Sequence, residues 1–119
     1  MNEETKIQRL IMLELSKAGH SVWRNETGRF WTGKLIHKDA MSVITLANAM
    51  MIPVGLCVGS SDLIGIQNGT GRFFAIEVKT KKGRASKEQL NYIDHVQKMG
   101  GIAGIARSPQ EALDLLNNK

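Results

Sequence analysis

The stretch "VGSSDLIGIQNGTGRFFAIEVKTKKGR", Val58 to Arg84, decides how this chain folds. "DLIGI" and "RFFAIEVK" are short apolar runs of strand type. The "QNGTG" between them puts glycines at 69 and 71, where a tight connection needs positive backbone dihedrals. An antiparallel hairpin is predicted. With its loop centred between Gly69 and Thr70, Ile66 faces Phe73, Ile64 faces Ala75, and Asp62 faces Glu77. Side chains alternate along a strand, so Lys79 shares the face of Glu77, while Leu63, Phe74, Ile76 and Val78 take the other. Directly opposed residues have Cβ atoms roughly 4.5 to 5.5 Å apart, and like charges there are destabilising unless something between them is positive.

Downstream, Ser86 with Gln89 makes a capping box. Leu90, Tyr92, Ile93, Val96 and Met99 give the following helix an apolar side that ends at Gly100-Gly101. "GIAGIA" is a short buried strand, and Ser108, Pro109 and Glu111 open a last helix as N-cap, first and third residues. Upstream, Thr5 to Ala18 carries Ile7, Leu10, Ile11, Leu15 and Ala18 at helical spacing, with Gly19 as the stop. His20 to Gly28 is predicted as a strand ending in a turn, and "RFWTGKLIHK" as another extended, basic segment. Residues 41 to 58 are apolar and Met-rich, with Val43–Leu46 and Val54–Val58 the expected strand segments. These elements describe one α/β domain over residues 1–119, with a central mixed sheet flanked by helices.

Composition agrees with a single soluble domain. The 119 residues are 42% hydrophobic and 23% charged, enough for one core, and they contain no repeat, low-complexity tract or linker. Cys57 is the single cysteine and cannot form an internal disulfide; its apolar neighbours suggest a buried thiol in a reducing compartment. The opening "MNEETK" is polar, and "AMMIPVGLCVG" is too short and too broken to span a bilayer. Neither export nor membrane insertion is expected, which places the chain in a cytoplasm.

The net charge of +5 favours a polyanionic partner, and "KTKKGR" concentrates cations beside the carboxylates. Lys81, Lys82 and Arg84 there, with Arg24, Arg29, Lys34 and Lys38 on the preceding strands, are the candidate contacts to a nucleic-acid backbone. Trp23 and Trp31 are expected in the core. Tyr92 is expected to line the site from its helix. His20, His37 and His95 lack ligand spacing, and the glycines form no phosphate-cradling motif, which argues against zinc and against a nucleotide cofactor.

Singly, Asp62 reads as a turn residue, and Glu77 with Lys79 as an exposed strand end. Jointly, one register puts all three on one face beside a basic loop. A divalent cation between the two carboxylates, completed by waters and a substrate phosphate, is the usual setting of Mg²⁺ in phosphoryl transfer. Lys79 then stands where an ammonium holds an attacking water or offsets charge on the phosphate.

"GSSDLIG" followed by "AIEVKTKKGRASKEQ" resembles the Asp, Glu-x-Lys and downstream Gln series of the PD-(D/E)xK nuclease superfamily, and within it the VRR-NUC (virus-type replication-repair nuclease) group. "ETKIQRLIMLEL" and "VWRN" resemble that group's first helix and following strand; residues 30 to 54 lie outside the resemblance. It implies a restriction-endonuclease-like core and an Mg²⁺- or Mn²⁺-dependent DNA endonuclease. Asp62, Glu77 and the Val78 carbonyl would be metal ligands, Lys79 the catalytic lysine, Gln89 a helix residue reaching the site, and Glu4 the first-helix acid. Ser61 stands where the superfamily's label has proline. Glu4 is preferred to Glu3 because Gln8 lies one helical turn beyond it; a solvated Glu pair at the helix N-terminus is the alternative. Stand-alone members of the group look like junction-resolving dimers. The resemblance therefore implies a homodimer acting on branched DNA such as four-way (Holliday) junctions, in a bacterial or phage-infected cell. The alternatives are a flap or nicking nuclease acting as a monomer, and a non-catalytic DNA-binding subunit.

Overall fold

The computed structural model describes residues 2–26 and 28–117. In chain order its elements are α1 (Glu3–Lys17), β1 (Ser21–Arg24), β2 (Gly28–Lys38), β3 (Ile44–Val54), β4 (Leu63–Ile66), β5 (Phe73–Val78), α2 (Lys87–Lys98), β6 (Ile102–Ala106) and α3 (Pro109–Asn117). The hairpin forms in the expected register, with Ile64 opposite Ala75 and Ile66 opposite Phe73. Gly69 and Gly71 both take positive φ in its loop. The helices begin where their caps dictate. Asn2 accepts the Thr5 N–H ahead of α1, and Ser86 and Gln89 exchange both bonds of a capping box ahead of α2.

β1, β4, β5 and β6 lie side by side in that order. The first three pair antiparallel, and β5 pairs parallel with β6 through the α2 crossover, so the sheet is mixed. Alternation along β5 divides the core in two. Phe74, Ile76 and Val78, with Leu63, pack against Ile11 and Leu15 of α1 and Ala112 and Leu116 of α3. Ala75, with Ala103, packs against Ile93 and Val96 of α2. Fully burying a side chain such as Phe74 or Ile76 contributes about 1.5–3 kcal/mol. The helical layers therefore fix which way each residue of β5 points, and Glu77 is sent to the α2 face.

The segment between β1 and β4 departs from expectation. Instead of two short strands there is one, β3, which pairs only with β2 in a separate two-stranded ribbon. Residues 55 to 58 leave the extended conformation, with Gly55 at φ 91°, so the strand expected at Val54–Val58 does not form. At the ribbon's far end Asp39 Oδ1 accepts the N–H groups of Met41 and Val43. Its register slips twice, between Thr32 and Lys34 and between Leu35 and His37. Phe30, Trp31, Met50 and Met51 are all exposed on it, because among the described residues no helix packs closely on the ribbon. Trp31 is thus a surface residue and not a core one.

Trp23 is also exposed. It sits on edge strand β1 opposite Ile64, on the α2 side of the sheet, where α2 lies mainly over β5 and β6. Leu10, Leu90 and Met99 fall outside the buried stripes of their helices, and the Cys57 thiol is exposed in the loop before β4. Among the described residues no helix is long and apolar enough to cross a membrane.

Candidate active site

Asp62 arrives at the sheet through a constrained loop. Gly59, at φ +85°, passes so close to α2 that a Cβ there would lie 2.5 Å from the Glu88 carbonyl oxygen. Asn25, just beyond β1, grips the loop from the other side. Its side-chain amide donates to Ser60 Oγ at 2.8 Å and to the Ser61 carbonyl at 2.9 Å, and its backbone N–H donates to the Asp62 carbonyl at 2.8 Å. Held this way, Asp62 turns its Oδ2 to the Val78 N–H at 2.9 Å. The next amide, of Lys79, points the opposite way to the Ala106 carbonyl of β6 at 3.2 Å. In a strand the N–H and C=O of one residue face the same neighbour, so the Val78 carbonyl is directed to the Asp62 side.

Glu77 stands beside Asp62 and is only 1% exposed. Its Oε1 accepts from Gln89 Nε2 at 3.0 Å and lies 3.6 Å from Lys79 Nζ, while its Oε2 is buried with no hydrogen-bond partner among the described residues. Burial, and then the adjoining Asp62 carboxyl, push the Glu77 pKa up to about 8; Lys79 opposes this without cancelling it. At neutral pH the metal-free pair therefore retains a proton. A buried carboxylate side by side with a second one is costly unless a proton or a cation lies between them. Oxygen donors of this kind suit a hard divalent ion. Asp62, Glu77 and the Val78 carbonyl are the groups that could hold one.

Glu4 does not join this pair. It is half-buried in the first turn of α1, and among the described residues no group of three or more acidic, His or Cys side chains gathers as a metal site. Gln8, one turn on, does approach: with Arg24, Asn25, Glu26 and Phe30 it lines a cavity of 300 Å³ that opens on Asp62. The cations fall into three places. Arg24 is in that cavity; Lys81, Lys82 and Arg84 border a second concavity beside α2; Arg29, Lys34 and Lys38 are exposed on the ribbon. Tyr92 lies in a neighbouring groove with Cys57, Phe73 and Val96, and burial raises its pKa.

Two residues that the sequence reading passed over belong to the site's frame. One is Asn25, whose grip on Ser60 and Ser61 has no sequence signature. The other is Arg107, whose Nη1 donates to the carbonyls of Thr80 and Gly83, both at 2.6 Å, and so holds the basic loop. The parallel register that pairs Val78 with Ala106 would have placed Arg107 next to Lys79 once β5 and β6 were known to be neighbours.

Comparison with curated proteins finds none that matches the chain. Among protein families, the model described as VRR-NUC domain matches residues 2–110, from the cap of α1 into the first turn of α3. The match includes the β2–β3 ribbon, and the α/β architecture is consistent with a PD-(D/E)xK-like nuclease fold. The chain therefore belongs to the VRR-NUC domain family of nucleases.

Proposed function

We propose that the protein is a Mg²⁺- or Mn²⁺-dependent DNA endonuclease that hydrolyses phosphodiester bonds. The observation that carries this reading is the buried Glu77 carboxylate beside Asp62, with Lys79 Nζ 3.6 Å from its Oε1 and its Oε2 without a hydrogen-bond partner among the described residues. Asp62 and Glu77, with the Val78 carbonyl, would hold the ion, which would supply positive charge to the scissile phosphate and the attacking water. The chain's own groups do the rest. An ammonium has three donors and no acceptor, so Lys79 acts by donating to the water oxygen or to a phosphate oxygen. Gln89 fixes the Glu77 carboxylate in orientation by its bond to Oε1. The lysines and arginines around the site supply affinity for the backbone.

The same reading takes the working unit to be a homodimer that acts on branched DNA, four-way junctions in particular. Support comes from the ribbon. Met41, Val43, Met50, Met51 and Ile52 lie exposed on β3 and its turn, and Phe30 and Trp31 on the adjoining strand. An isolated two-stranded ribbon is marginal in water, so a second copy of the chain laid over it would stabilise both. A twofold dimer then offers two sites to a substrate of matching symmetry. The test is cleavage of junction, flap, duplex and single-stranded substrates with and without Mg²⁺, alongside light scattering at micromolar concentration. A dimer cutting junctions is expected. A monomer that cuts flaps and leaves junctions whole contradicts the dimer reading, and no cleavage of any substrate contradicts the nuclease reading.

A further inference from the structure

Between the basic loop and α2 lies a concavity of 680 Å³ whose lining is divided by chemistry. Part of the lining is cationic, from Lys81, Lys82, Arg84 and Arg107, and part is apolar, from Leu90 and Ile105. No carboxylate and no amide or hydroxyl side chain lines it. Among the described residues none of Lys81, Lys82 and Arg84 is in an ion pair, so their charge is not spent within the protein. The shape is held from below: Arg107 is pinned to the Thr80 and Gly83 carbonyls, which fixes the turn that carries Lys81 and Lys82.

Its position relative to the carboxylates follows from register. Ile105 is the direct parallel partner of Glu77 on the same face of the sheet, so the apolar part of the lining begins one strand away, about 4.8 Å. On the helix side Leu90 follows Gln89, the residue bonded to Glu77. Leu90 is 50% exposed, an apolar side chain left uncovered beside the cations.

We propose that this concavity seats one unpaired nucleotide of the DNA strand next to the scissile phosphate, its base and sugar on Leu90 and Ile105 and its phosphates on Lys81, Lys82 and Arg84. This rests on the nuclease reading for the class of ligand. A paired duplex would bring only its phosphates here and would have no use for the apolar part of the lining. A nucleotide out of the stack uses both parts, and the volume falls within the range of small-ligand pockets. With its cations taken up by phosphates and only Leu90 and Ile105 against the base, the pocket is indifferent to sequence. It selects for DNA in which the nucleotide beside the cut is free to leave its partner. Arg107 is the positioning residue.

The test uses ¹⁵N-labelled Glu77→Gln protein without metal, titrated with the dinucleotide pdTpdT and, in parallel, with inorganic phosphate. Dinucleotide is expected to shift the amides of residues 81–85 and 90 and to bind at least tenfold more tightly than phosphate. Added to this background, Leu90→Ser and Arg84→Glu should each weaken the dinucleotide about fivefold or more, with phosphate affinity unchanged by Leu90→Ser. Equal affinity for dinucleotide and phosphate, or no effect of Leu90→Ser, would overturn the proposal. Cleavage by the wild-type protein without dinucleotide binding overturns the pocket alone. Dinucleotide binding by a protein that cleaves nothing supports the pocket and removes the nuclease reading.

Discussion

Gln89 joins the cap of α2 to the carboxylate pair: its Oε1 accepts the Ser86 N–H at 2.8 Å while its Nε2 donates to Glu77 Oε1 at 3.0 Å. The cap fixes which end of the amide faces the site. Gln89→Glu keeps the acceptor for the cap but sets a third carboxylate against Glu77. It should fold nearly as well and cleave at least tenfold more slowly, with a higher Mg²⁺ requirement. Gln89→Leu loses both bonds and should cost about 1–2 kcal/mol in urea unfolding. Equal activity in Gln89→Glu would separate Gln89 from the site.

The proton on Glu77 makes stability depend on pH. Its folded value of about 8 lies above the ordinary 4.5, so the folded state binds this proton more tightly than the unfolded one. The contribution is complete below pH 4.5 and is lost as pH rises through about 8. In chelator, unfolding free energy should therefore decline across this window, and Glu77→Gln should flatten the decline. Mg²⁺ affinity of the wild-type protein should rise over the same range, since the ion must displace the proton. Denaturation series with chelator or Mg²⁺ measure both.

The loop that delivers Asp62 is held by contacts that can be removed one at a time. Asn25→Ala deletes the bonds to Ser60 and Ser61 and should cost about 1–3 kcal/mol, with weaker metal binding. Gly59→Ala forces a Cβ into the α2 backbone at a positive φ and should displace the loop at a similar cost of about 1–3 kcal/mol. Urea unfolding and Mg²⁺ titration of each variant are the checks. Unaltered metal affinity in both would show that Asp62 is placed without this loop.

How much of this was legible in the sequence follows the range of the interactions. The β4–β5 hairpin is local, and its glycines and alternating runs set a register that brought Asp62, Glu77 and Lys79 to one face. Caps are local too, so Ser86, Gln89 and Ser108 were found where they act. The ribbon was not legible, because a continuous apolar run such as "ANAMMIPVGLCV" has no period to separate strand from turn. Its exposure depends on what does not cover it. Arg107 and Asn25 were missed because their partners lie 24 to 36 residues away in the chain. Cys57, Trp23 and Trp31 looked like core by residue type, and only the placement of α2 and of the ribbon leaves them at the surface.

Lys79 and the basic loop should separate in kinetics. If Lys79 acts as proposed, Lys79→Ala should lower single-turnover cleavage by about 100-fold or more with little change in DNA affinity. Lys81→Ala with Lys82→Ala should weaken binding and reduce its salt dependence by about two ions while leaving the rate at saturation near that of the wild type. A Lys79→Ala variant altered only in affinity would make Lys79 one more phosphate contact.

The central claim is that Asp62 and Glu77 share one catalytic cation. It is tested most directly by cleavage and binding of one labelled four-way junction by Glu77→Gln, side by side with the wild type in Mg²⁺. Loss of cleavage by a factor of at least about 1,000 with DNA affinity retained within about threefold is expected, since affinity comes from the lysines and arginines. Cleavage by Glu77→Gln at the wild-type rate would contradict the account.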